Sequence, residues 1–133
     1  MADTPAYVAD THGLIWFLYA SPKLGKGALS AFEAVGRGEA RLVVPAIVIA
    51  ELVYIAERGK AAVDVDWVIG KLSANPAIEI APLSVECILA MRSLKAIPEM
   101  HDRLIATEAH RRGAKVITRD PMIRDAKVVE TVW

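Results

Sequence analysis

The sequence predicts an α/β fold, a mostly parallel sheet of four to five strands with helices on both faces, three layers in all. Short β-rich runs of about four or five residues alternate with longer helical runs, the pattern of strand–helix–strand crossovers. No internal repeat, low-complexity tract or linker interrupts that alternation, so residues 1–133 read as one domain.

The elements follow in order. Ala6–Ala9 reads as a strand and Thr11–Tyr19 as a helix, which Ser21-Pro22-Lys23 breaks. A second helix runs from Lys26 to Val35 and ends near Gly36 and Gly38. Arg41–Val44 is the second strand, leading through Pro45 into a long helix that reaches Arg58-Gly59. Asp64–Ala74 is helical, and Asn75-Pro76 turns the chain into a third strand, Ile78–Ala81. Ser84–Leu94 is a helix, Pro98 punctuates, and Asp102–Arg112 is a helix that Gly113 stops. Lys115–Thr118 forms the fourth strand, and Val128–Thr131 a short fifth at an edge.

Composition narrows the function. The chain of 133 residues is 54% hydrophobic, enough to build a core without metal, and it excludes disorder. That content also points to a hydrophobic partner surface. No run approaches the ~20 uncharged apolar residues of a transmembrane helix, and Met1–Pro5 lacks the basic start of a signal segment. Cys87 is the single cysteine, so internal disulfides and cysteine-built zinc sites are excluded, and a reducing cytoplasm is the expected compartment. Sixteen basic and sixteen acidic residues cancel. A polyanionic partner therefore has to be recognised locally, by a cation cluster or a bound metal.

In a parallel sheet, ligands bind beyond the carboxyl ends of the strands, and four carboxylates are candidates for that rim. Asp10 directly follows the first strand, where it is either an N-cap or a site carboxylate. Glu51 is the only charged residue between Leu42 and Ala56. Burial without a partner is costly, so it needs a salt bridge, a metal or a shared proton. From Asp102 a helix descends ~15 Å and the following strand climbs back ~16 Å, which returns Asp120 to the same edge. Each of the two also reads as a helix cap, Asp120 with Pro121 at the first helical position. Four carboxylates on one rim repel one another, and a divalent cation resolves the conflict. Oxygen-only donors select Mg²⁺ or Mn²⁺ over zinc, which points to metal-assisted phosphoryl transfer.

Other residues carry weaker signals. His12 and His101 lack the spacing of a metal-binding pair and read as rim or packing residues. Cys87 reads as core, and Trp16, Phe17 and Tyr19 as core or dimer packing, with base stacking as the alternative for these aromatics. Arg103 and Arg119 adjoin site aspartates, where phosphate contact and a structural ion pair are both open. Lys23, Lys26, Arg111 and Arg112 read as solvated, the first two also as RNA-facing.

Together Val8-Ala9-Asp10-Thr11-His12, Ile49-Ala50-Glu51-Leu52, Met100 to Thr107 and Val116-Ile117-Thr118-Arg119-Asp120 resemble the PIN-domain ribonucleases. More closely they resemble the VapC toxins of toxin–antitoxin pairs, over nearly the whole chain and including its ending Val129 to Trp133. The resemblance implies a PIN-like domain with an acidic pocket for Mg²⁺ or Mn²⁺ and endonucleolytic hydrolysis of RNA. By position it makes Asp10, Glu51, Asp102 and Asp120 the metal-site and catalytic carboxylates, with Thr11 and Thr118 supporting them. It further implies a homodimer held inactive by a cognate VapB-like antitoxin. Housekeeping RNA processing and a non-catalytic scaffold are the alternatives. Aspartyl phosphoacceptor folds also place Asp after a first strand, but leave Glu51 and the Asp102/Asp120 pair unexplained.

Overall fold

Strand β1 (Ala6–Ala9) sits at the centre of a five-stranded parallel sheet of order β3-β2-β1-β4-β5. The structure is a computed structural model that describes residues 4–59 and 61–133. Along the chain β1 is followed by α1 (Thr11–Leu18), α2 (Lys26–Gly36), β2 (Arg41–Pro45), α3 (Ala46–Arg58), α4 (Val65–Ser73) and β3 (Ile78–Ala81). Then come α5 (Val85–Ala90) with a 3₁₀ turn at Met91–Ser93, α6 (Met100–Arg112), β4 (Lys115–Ile117), α7 (Pro121–Arg124) and β5 (Thr131–Val132). The predicted α/β class and the parallel sheet flanked by helices are both observed.

Strands this short hold because they are covered on both faces. Val8, Ala9, Val44, Val116 and Ile117 are fully buried, and Leu42 is nearly so. Each large apolar side chain removed from water contributes roughly 1.5–3 kcal/mol. Helix α3 sends Val48 and Leu52 into the same core, and α2 adds Phe32, stacked on Phe17 of α1 with ring centroids 4.4 Å apart. A second, smaller cluster of Leu94, Ile97, Ala106 and Ile123 pins the start of α6 to α7. Among the described residues, no helix is long and apolar enough to cross a membrane.

The sheet order fixes where a ligand meets the fold. The chain builds β1, β2 and β3 outward in one direction, then returns to add β4 and β5 on the other side of β1. The carboxyl ends of β1 and β4 therefore flank the point where the order reverses, and the crevice there is the usual ligand site of such sheets.

Four expectations need correction. Helix α6 starts at Met100, not Asp102, because Glu99 is its cap and accepts the Asp102 N–H at 2.8 Å. Asp102 is thus freed from capping. The fifth strand is Thr131–Val132, later than Val128–Thr131, since Lys127 takes a left-handed turn (φ 56°) and the chain meets β4 only afterwards. The helix after Ser84 gives way to a 3₁₀ turn at Met91 and ends at Ser93. Arg112, read as solvated, instead bridges Glu79 of β3 through two hydrogen bonds of 3.1 and 2.9 Å and Glu108 through one of 2.5 Å.

That bridge ties the end of α6 to the sheet edge, and Glu108 is only 8% exposed. Removing its cation strands a largely buried carboxylate, which is destabilising. Arg112→Met is expected to lower stability by about 1–2 kcal/mol, measured by urea unfolding. Adding Glu108→Gln should restore part of the loss; an unchanged midpoint in the single variant contradicts the role assigned to Arg112.

Candidate active site

Asp10, Glu51, Asp102 and Asp120 come from four different elements and line one cavity of about 690 Å³ beyond the carboxyl ends of β1 and β4. The rim position expected for all four is what the structure shows.

Asp10 is both cap and site residue. Its Oδ1 accepts the Gly13 N–H at 2.7 Å, capping α1, while its backbone N–H donates to Ile117 of β4. Gly13 is required there. A Cβ on residue 13 would lie 2.7 Å from that Oδ1 and 3.3 Å from the Ile117 carbonyl, so a side chain displaces the carboxylate. Burial raises the Asp10 pKa above the usual carboxylate value, opposed by the Thr118 hydroxyl, the Gly13 N–H and His12.

Glu51 lies mid-helix in α3, and its Oε1 accepts a 2.8 Å hydrogen bond from the buried Thr11 hydroxyl. Among the described residues it has no salt-bridge partner. Asp120 caps the short helix α7 through the Met122 N–H at 2.9 Å, with Pro121 at the first helical position as expected. Its own N–H donates to the buried Thr118 hydroxyl at 3.0 Å. Thr118 therefore fixes the Asp120 amide, and Thr11 connects α1 with Glu51.

Asp102 is the most perturbed of the four. Its pKa is pushed up to about 7, first by burial, then by the hydrogen bond and charge of Asp120, with Glu99 and Glu51 adding to it. The donor chemistry fits a hard divalent cation: oxygen donors that suffer from one another's charge. Among the described residues, however, no three His, Cys, Asp or Glu side chains form a ready-made ligand cluster.

The remaining candidates divide. Arg119 lines the cavity, stacked 4.4 Å over the Trp16 ring. Arg103 does not line it; its Nε donates to the Ile97 carbonyl at 2.6 Å, clamping the loop before α6. His12 is on the cavity wall and exposed, while His101 pairs with Glu99. Trp16 and Lys23 also line the cavity, the position that the base-stacking and RNA-facing alternatives for them need. Their signal was composition alone, an aromatic helix and a turn lysine near Asp10 in sequence.

Charge crowding has a sign that stability can report. Asp102 binds its proton more tightly folded than unfolded, where the pKa is 3.8. Folded stability therefore falls as pH rises from about 4 to about 7 and levels off above. In EDTA, Asp102→Asn should melt progressively higher than wild type as pH rises from 5 to 8, by roughly a few degrees at the top given solvent screening. Equal melting at pH 8 contradicts the crowding.

Comparison with known proteins bears on the fold and the family. The crystal structure of VapBC2 from Rickettsia felis bound to a DNA fragment from their promoter contains a chain 19% identical to this one, with a TM-score of 0.68. The match covers 95% of this chain and 96% of that one. DNA-bound VapBC from Salmonella typhimurium contains one 17% identical, TM-score 0.67, with 96% of each chain covered. FitAcB from Neisseria gonorrhoeae contains one 16% identical, TM-score 0.65, covering 94% of this chain and 95% of that one. At these identities the likeness concerns the fold. No curated protein sequence matches. The PIN domain family model matches residues 7–129, nearly the whole chain, and with the acidic cavity at its sheet edge the protein belongs to the PIN domain family.

Proposed function

We propose that the chain is a divalent-metal-dependent endoribonuclease and the toxin of a toxin–antitoxin pair. The observation that carries this reading is the convergence of four carboxylates from four elements on one cavity at the reversal point of the sheet. PIN domains are generally nucleases, and similar solved structures include VapBC complexes, which supports the toxin assignment. Asp10, Glu51, Asp102 and Asp120 would hold a Mg²⁺ or Mn²⁺ ion. Such an ion, when bound, supplies Lewis-acid chemistry, acidifying water and offsetting charge that grows on the phosphate.

The chain's own groups do the positioning. Gly13 N–H fixes one oxygen of Asp10, and the Thr11 hydroxyl fixes one oxygen of Glu51. Asp102, pushed up to about 7 first by burial and then by Asp120, gains most from a bound cation, which would hold its carboxylate ionised. Partners find apolar surface on α3, where Tyr54 is 64% exposed beside Val53, and on α5, where Val85, Ile88 and Leu89 are exposed. We assign these faces to a second copy of the chain and to an antitoxin, and the compartment to the cytoplasm.

The test compares purified wild type with Asp10→Asn on pooled RNA in Mg²⁺, Mn²⁺ or EDTA, with equal folding shown by circular dichroism. Wild type should make discrete cuts that need metal, and Asp10→Asn should lose them by at least about a hundredfold. If wild type cuts nothing and calorimetry detects no metal, the nuclease assignment fails.

A further inference from the structure

Opposite chemistry shares the cavity with the carboxylates. The half-buried Trp16 indole carries the Arg119 guanidinium at 4.4 Å and the Lys23 ammonium at 5.7 Å from its ring centroid, and His12 lies 5.5 Å away, centroid to centroid. Among the described residues that line the cavity, Lys23 and Arg119 are the permanent cations, and both belong to this one ring. Neither is ion-paired to a described carboxylate, although four carboxylates line the same cavity. A cation in an acidic cavity that stays on an aromatic face keeps its charge and donors available to a ligand.

The indole is held from behind. Trp133 meets Trp16 edge-on at 5.8 Å between centroids. It arrives there because β5 pairs with β4, Thr118 N–H donating to the Val132 carbonyl at 3.1 Å. The start of α2 receives it on two glycines, the N-cap Gly25 and Gly27 in the first turn. A Cβ at Gly25 would stand 2.6 Å from the Trp133 carbonyl carbon, and one at Gly27 2.6 Å from its carbonyl oxygen. Backbone that close leaves room for glycine only, so the sequence Gly25-Lys26-Gly27 and Trp133 form a built seat.

We propose that Trp16, Arg119 and Lys23 form a nucleotide subsite beside the acidic centre, binding one base and an adjoining phosphate of single-stranded RNA, with Trp133 as the residue that positions Trp16. The proposal rests on the nuclease reading above and adds where the substrate is gripped. A net-neutral chain exerts no long-range pull on RNA, and the carboxylates repel it, so local cations must supply the attraction. Indole and guanidinium planes are also the surfaces on which unpaired bases stack.

The test is binding of a short fluorescein-labelled single-stranded RNA to the full chain carrying Asp10→Asn, in EDTA across a salt series. Trp16→Ala is expected to weaken binding roughly five- to a hundredfold. Arg119→Gln and Lys23→Gln, both at exposed positions, should each reduce the slope of log affinity against log salt by about 0.7. Trp133→Ala should weaken binding in the same direction, with Trp133→Phe restoring it. In the active chain the same substitutions should raise KM for RNA more than they lower kcat. Unchanged affinity and slope in Arg119→Gln and Trp16→Ala overturn the subsite, as does failure of the Asp10→Asn parent to bind. An effect confined to a protein partner overturns it too. Metal-dependent cutting by wild type is scored separately, so the subsite can fail while the nuclease assignment stands.

Discussion

Burying carboxylates side by side in one cavity is the constraint around which this molecule is built. Burial and neighbouring charge lift Asp102 to about 7 and raise Asp10 as well, so the fold must hold groups together that would separate if free. It does so with short, neutral fasteners. Thr11 ties Glu51 to α1, Thr118 holds the Asp120 amide, and the Gly13 amide ties Asp10 to its helix. None of these removes charge; each fixes direction. The same logic explains why α6 is anchored at both ends, by the Leu94–Ile97–Ile123 cluster near Asp102 and by Arg112 at the sheet edge. A helix free to slide would relieve the repulsion by moving Asp102 away.

The sheet and the rim were legible because both are written in local pattern. β-rich runs such as Leu42-Val43-Val44 can form buried parallel strands, and an acid after a strand lands at its carboxyl edge whatever else happens. What stayed hidden depends on contacts distant in sequence. Helix α7 spans four residues, too few for a periodicity to appear, and only the Asp120-Pro121 cap hinted at it. Val128-Val129 has the composition of a strand, yet the turn at Lys127 delays pairing until Thr131. Glu99 is a less usual cap than Asp, so the first aspartate of the helix drew that role in the sequence. Arg112 looks like any solvated helix cation until β3 places Glu79 beside it.

Of the residues facing the cavity, the acids announced themselves, whereas Trp16, Lys23 and Arg119 were legible only as alternatives to packing, a solvated face and an ion pair. A carboxylate inside an apolar run has few reasons to be there, whereas a tryptophan in an apolar helix or a lysine in a turn has many. Trp16 and Lys23 gain meaning only when Arg119 arrives from the loop after β4 and Trp133 from the chain beyond β5. Gly25 and Gly27, unremarkable around a helix start, mark a close backbone approach from more than a hundred residues away.

The pairing of β1 with β4 also sets a timetable for synthesis. Tyr7, Val8 and Ala9 find Lys115, Val116 and Ile117 as partners, a contact whose loop spans most of the chain and which therefore closes late. Until then β1 has β2 on one side and an open edge on the other, and Asp10 faces no Asp120. A nascent chain emerging from the ribosome can fold its first helices and strands while its acidic rim stays incomplete. The four carboxylates come to share one cavity only once β4, and Asp120 after it, has joined β1.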